Sequence, residues 1–229
     1  MELLLNLDLE YDVDSVLRGQ GADPAVLRAR RPSLVEIAER AREESLSLLA
    51  PRVVYQEYAV AGVQHQHLLL EGGKRLQSSL LARQLAPATK VIILLATIGD
   101  GLEERVSKIW DADMVYALAL DGAGSGAVEA LANAACQYFE KKALGEGLQA
   151  SIPFSPGMVD WSVADGQPQI FNLLGEDGSI VSLTPSFIMI PRKSLTMVMG
   201  LGANLESSGR TCDFCSMRAT CRYQEQYLH

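Results

Sequence analysis

The sequence predicts an α+β fold, and three observations carry that expectation. Lys90 to Ile98 is a nearly unbroken aliphatic run, the pattern of a strand buried on both faces. Asp113 to Leu144 is a long, alanine-rich stretch that reads as helix throughout. Beyond Gly145 the chain turns irregular. There two extended segments, SIVSLT and SFIMI, lead through Pro191-Arg192-Lys193 into SLTMVMGLG, as strands around a tight connection would.

The remaining elements follow in order. Alternation toward the end of Met1 to Asp12 (Leu5, Leu7, Leu9, Tyr11) has the period of a strand. Asp14 to Leu27 is interrupted by Gly19 and Gly21 and reads as a helical turn and a loop. Ser33, followed by Glu36, forms a capping box for a helix that ends near Pro51. Its stripe of Leu34, Ile37, Ala38, Ala41, Leu48 and Leu49 faces inward. Val53 to Val60 reads as a strand, Glu71 to Lys74 as a turn, and Leu76 to Leu85 as a short helix. After Gly99-Asp100-Gly101 a helix opens with Glu103 and Glu104, carboxylates that suit its positive end. Gly122, Gly124 and Gly126 fall inside the long helical stretch, where each glycine costs about 1 kcal/mol against alanine. Either another backbone or a ligand approaches closely there, or the helix breaks. Gln167 to Leu174 makes an amphipathic helix with Ile170, Leu173 and Leu174 inward.

The chain has 229 residues, 48% apolar and 21% charged, which suits one domain with a small appendage. The boundary falls after Leu201, dividing a domain at 1–201 from a cysteine-bearing tail at 202–229. Net charge is −8, which gives no footing for nucleic acid and none for an acidic lipid surface. The opening MELLLNLDLEYDVD carries no basic leader or small-residue cleavage site. The apolar run Val91 to Ile98 falls far short of the roughly 20 residues that span a bilayer. A cytoplasmic protein with free thiols is therefore expected.

Several segments, in order, resemble the activation domain of cobalamin-dependent methionine synthase. Ala96-Thr97-Ile98-Gly99 before Gly101-Leu102-Glu103-Glu104 is similar to that family's strand-turn-helix. The helix at Asp121 to Phe139 is similar to its alanine-rich helix. Phe154-Ser155-Pro156-Gly157 is similar to its signature loop, and Gln169 to Leu174 to the helix that follows. Leu183-Thr184-Pro185-Ser186 through Met189, then Pro191-Arg192-Lys193-Ser194, resembles its "LTES-x-x-M-x-P-x-x-S" stretch. The likeness spans roughly residues 90 to 201.

The resemblance implies a twisted antiparallel sheet flanked by helices, with a shallow groove for S-adenosylmethionine. It implies methylation of cob(II)alamin, after one-electron reduction, on a corrinoid-binding methyltransferase. Cobalamin would sit on that partner, and an electron donor such as flavodoxin would supply the reduction. The protein's share would be positioning a sulfonium methyl over cobalt. By the same resemblance Phe154, Ser155, Gly157 and Met158 would hold the cofactor. Asp121 and Glu129 would favour its cationic centre.

The signature is altered at two positions. The family's arginine falls on Pro153 and its tyrosine on Met158. In the family the arginine should pair with the cofactor's carboxylate as a bidentate fork, and proline offers neither charge nor donor. Losing such a contact costs about a hundredfold in affinity. Three functions stay open: a free-standing reactivation protein acting in trans, a docking module without S-adenosylmethionine chemistry, and a redox protein.

The third rests on the tail, where Cys212, Cys215 and Cys221 form a C-x2-C-x5-C cluster. Three thiolates so spaced suit zinc or an iron–sulfur cluster, with Cys136, His229, water or substrate as a fourth ligand. Free thiols or an adventitious disulfide are the plain alternatives. His65 and His67 share a face if extended, or belong to a solvated loop. Gly99-Asp100-Gly101 lacks a phosphate loop's lysine and serine and reads as a turn. Met189, Met197 and Met199 fill a core or face a cofactor. Trp110 is expected in the core, and Trp161 as a loop anchor.

Overall fold

Strand β5 (Lys90–Thr97) is buried on both faces, and the sheet is built outward from it. The computed structural model describes residues 2–4, 7, 9–175, 180–205 and 209–219. On one side of β5 lies β2 (Arg52–Gln64), paired antiparallel from Arg52↔Thr97 to Ala59↔Lys90. On the other lies β9 (Ser194–Gly202), antiparallel from Lys90↔Leu201 to Thr97↔Ser194. The far edge of β2 carries β1 (Glu2–Leu4) at one end and β3 (His67–Leu70) at the other, with β4 (Arg75–Gln77) beyond β3. Strand β6 (Gln149–Ala150) completes the seven-stranded antiparallel sheet beside β9. A separate pair, β7 (Ser182–Leu183) and β8 (Met189–Ile190), precedes β9.

Period-two alternation gives each strand two apolar faces, and each face is covered by helices. One face presents Val53, Tyr55, Ile92, Leu94, Met197 and Met199 to α1 (Val13–Gly19), α3 (Pro32–Leu46) and α6 (Met114–Gly145). Helix α2 (Pro24–Arg30) links α1 to α3, and α5 (Gly101–Ile109) flanks α6. The opposite face presents Val54, Tyr58, Ile93, Leu95 and Val198 to α4 (Ser79–Gln84), α7 (Val163–Leu174) and the segment holding Phe154 and Trp161.

The glycines of α6 do not break it. A side-chain carbon on Gly122 would lie 2.6 Å from the Val16 carbonyl oxygen, so α1 crosses α6 backbone against backbone. On the same turn a carbon on Gly124 would crowd Leu102 at 3.0 Å and the Lys193 side chain at 3.2 Å.

Several local expectations are corrected. Residues 14–27 hold α1 and the start of α2, capped by the Asp12 and Asp23 carboxylates, rather than a turn and a loop. Pro32 occupies the first turn of α3, so Arg31 is the cap and Ser33 does not serve. Arg75–Gln77 pairs as β4, and the helix starts only after Ser78, whose hydroxyl accepts from the Leu81 amide. Trp110 is 40% exposed instead of lying in the core. Of the amino-terminal strand, Leu5 lies outside the described residues, and among the described residues Glu2–Leu4 is the part that pairs. Among the described residues, no helix is long and apolar enough to cross a membrane.

Candidate functional site

Segments far apart in sequence meet where β5 ends and β9 begins. Gly99 N–H donates to Thr97 Oγ1 at 3.2 Å, and Ser194 Oγ lies 2.8 Å from the same oxygen. Ser194 Oγ also lies 2.7 Å from the Pro191 carbonyl, and Ile98 N–H donates to the Lys193 carbonyl at 3.2 Å. Glu103 Oε1 accepts the Lys193 backbone N–H at 2.9 Å. The Lys193 ammonium, only 14% exposed, reaches α6, where it lies 2.9 Å from Asp121 Oδ1 and 2.9 Å from Ser125 Oγ. The alanine-threonine-glycine stretch, the paired glutamates, the alanine-rich helix and the Pro191-to-Ser194 stretch are therefore parts of one corner.

Beside this corner α5 and α6 leave an open groove of about 540 Å³. Val106, Trp110 and Leu118 form its apolar wall, and Asp111, Asp121 and Arg192 supply its charge.

Behind it, Glu44 of α3 ties the two helices together. Its carboxylate accepts from Arg105 Nε and from the Tyr116 hydroxyl, each at 2.6 Å. The Tyr116 hydroxyl and then Arg105 hold the Glu44 carboxyl below its usual pKa. Desolvation and the Glu44 charge push Tyr116 up to about 12.

The signature-like loop lies on the other face of the sheet. Phe154 exchanges backbone hydrogen bonds with Val198 at 2.9 and 2.8 Å, and its ring is buried. Gly157, at φ +99°, makes the turn, its N–H donating to the Trp161 carbonyl at 2.8 Å. Met158 points inward, its sulfur 3.4 Å from the Ser155 N–H. The tail folds back over this turn. Val159 N–H donates to the Phe214 carbonyl at 2.8 Å, and Ser216 Oγ donates to the Gly157 carbonyl at 2.6 Å. The Phe214 and Phe154 rings meet edge to face with centroids 5.6 Å apart. Trp161 is buried with its indole N–H unpartnered.

Of the residues singled out for the cofactor, Phe154, Ser155, Gly157 and Met158 are brought together in this turn. Asp121 and Glu129 stand on α6, which covers the opposite face. The structure thus separates the carboxylates from the loop and joins Asp121 to the groove. Trp110, Asp111 and Arg192 escaped the sequence reading as site residues. Three charged side chains beside a half-exposed tryptophan form no motif until α5, α6 and β9 are packed.

Cys212 and Cys215 lie in the returning tail, and Cys221 lies outside the described residues. Among the described residues no group of three metal-ligating side chains assembles. Cys136 is corrected as a fourth ligand. It is buried under the opposite face, 3.4 Å from the Met197 sulfur, and desolvation pushes its thiol up to about 12. His65 and Gln66 form the exposed turn between β2 and β3, with His65 at φ +53°, so the histidines occupy a hairpin end. His229 lies outside the described residues. Met197 and Met199 fill the core, and Met189 packs against the other cluster.

The molecule belongs to the class of α+β proteins in which an antiparallel sheet carries helices on both faces. Within that class its fold is that of a solved reactivation domain. It matches the crystal structure of the MetH reactivation domain bound to AdoHcy, with a TM-score of 0.64 and 14% identity. The match covers 99% of this chain and 88% of that one. No family profile matches the sequence, and no curated protein matches it either.

Proposed function

We propose that this protein reactivates a corrinoid-dependent methyltransferase in trans. Its ligand would be S-adenosylmethionine, supplying a sulfonium methyl group to cobalt that a one-electron donor of the flavodoxin class has reduced on the partner. The observation that carries this reading is the likeness to a reactivation domain over 99% of the chain. The corner around Lys193, where the motif-bearing segments converge, is consistent with it.

The loop at 153–158 does not fit the ligand's carboxylate. Pro153 supplies no donor, and Phe154 and Met158 are turned inward. The protein's contribution in this reading is binding and orientation. Titration calorimetry with S-adenosylmethionine, paired with loss of the cob(II)alamin signal of a loaded corrinoid protein under reducing conditions, tests it. Heat on binding and ligand-dependent loss of signal are expected. No heat at millimolar ligand removes the transferase role.

A second reading is favoured by the tail closing over residues 157–159. Here the fold docks on a corrinoid protein without S-adenosyl chemistry. Capture of a corrinoid protein by a chain that binds no S-adenosylmethionine would select it.

A further inference from the structure

The tail folded over the turn at 157–161 carries a motif that the corner and the groove leave unused. Cys212, Cys215 and Cys221 stand in the order C-x2-C-x5-C, the last of them outside the described residues. Cys212 opens a closed turn and Cys215 ends it, the Cys215 N–H donating to the Cys212 carbonyl at 3.3 Å. A turn so closed holds its first and last Cα atoms within about 7 Å. Thiolates at that spacing can reach one ion from a single turn. Both side chains are half-buried, so an ion can approach them from solvent.

The two thiols are also held in place on the domain. Cys215 bridges Met158 as a short antiparallel pair. On one side of it the Phe214 carbonyl accepts the Val159 N–H, and on the other the Ser216 hydroxyl donates to the Gly157 carbonyl. Phe214 packs against the core, whereas Met217 is 61% exposed. One docked ring is little against the conformational entropy of ordering residues 209–219. Segments too small for a core of their own are commonly held by a metal or by disulfides. Disulfides within this chain fit the set poorly. Three thiols leave one over, and Cys136 is buried under the opposite face of the sheet. One thiophilic centre takes all three.

We infer that Cys212, Cys215 and Cys221 bind a thiophilic metal centre, zinc or an iron–sulfur cluster, that fastens the tail across the turn at 157–161. Three thiolates leave a fourth position for water or an external ligand. Metal binding there does not depend on whether the chain takes S-adenosylmethionine.

The test uses the full chain, made anaerobically without chelators, with zinc, iron, acid-labile sulfide and visible absorption measured. About one zinc per chain without colour identifies zinc, and iron with sulfide and thiolate-to-iron absorption identifies a cluster; either result supports the site. Cys215→Ser and Cys221→Ser should each lose most of the metal, whereas Cys136→Ala retains it. Hydrogen exchange reads the fastening. Removal of the metal by a chelator should deprotect the Val159 amide while the amides of β5 keep their protection. The assignment falls if the isolated chain holds neither metal and, once reduced, takes up neither zinc nor iron with sulfide. It falls equally if Cys215→Ser and Cys221→Ser keep the full metal content. Unchanged exchange at Val159 on metal removal overturns the fastening.

Discussion

The corner at Lys193 and the turn at Gly157 are both assembled from motif-bearing segments, yet they are built from opposite materials. The corner is polar and knits together groups from β5, α5, α6 and β9. The turn is apolar inside, with Phe154, Met158 and Trp161 buried, and the tail lies across its outer side. A polar corner beside an open groove leaves charge available to a ligand. An apolar turn whose carbonyl and amide already have partners leaves little. The difference teaches that segments alike in motif can pack into regions of opposite chemistry.

Four substitutions probe that contrast. Phe154→Ala removes a fully packed ring from the turn and should cost about 3–5 kcal/mol in chemical denaturation. A much smaller loss would mean that the turn is not part of the core. Lys193→Met keeps the stem against Gly124 and deletes the ammonium. About 1 kcal/mol should go, since Asp121 is 47% exposed and regains water. A neutral result would demote the corner from anchor to ornament.

Phe214→Ala deletes one edge-to-face contact, worth about 1 kcal/mol. Its sharper readout is hydrogen exchange. Protection of the Val159 amide should drop while that of Gly99, in the corner, is retained. Equal loss at both would show that the two regions open together.

Glu44→Gln should have the smallest effect, below about 1 kcal/mol for a partly exposed tie. Its carboxyl has a folded pKa below the usual value, so its stabilisation is complete at neutral pH. That stabilisation fades as acid titrates through the lowered pKa. Thermal melts of wild type and variant should therefore converge as the pH falls. A gap that persists in acid would assign the effect to packing.

Much of the architecture was readable from residues. Val91 to Leu95, aliphatic at every position, fits a strand covered on both sides, which β5 is. The length of α6 was clear from its alanines, and the cost of its glycines signalled a close neighbour. Its identity was hidden, because α1 ends at Gly19 and looked too broken to be a helix. Short elements failed for a similar reason. Arg75–Gln77 is a strand only because β3 pairs with it. In the candidate site the sequence located the loop but not its orientation. Nothing in Phe154 or Met158 announces an inward side chain until β9 and the tail are in place. The groove was illegible altogether, since Asp111 and Arg192 are joined only by tertiary packing.

Gly122 and Gly124 occupy neighbouring positions on one turn of α6, the first touching α1 and the second lying under the Lys193 stem. One turn of helix therefore sets both the seat of the amino-terminal helix and the reach of the Lys193 ammonium. A methyl group at Gly122, 2.6 Å from the Val16 carbonyl, would shift more than the crossing it obstructs. Asp121 directly precedes Gly122, so a shift of α6 at that crossing would also carry the carboxylate that holds the Lys193 ammonium.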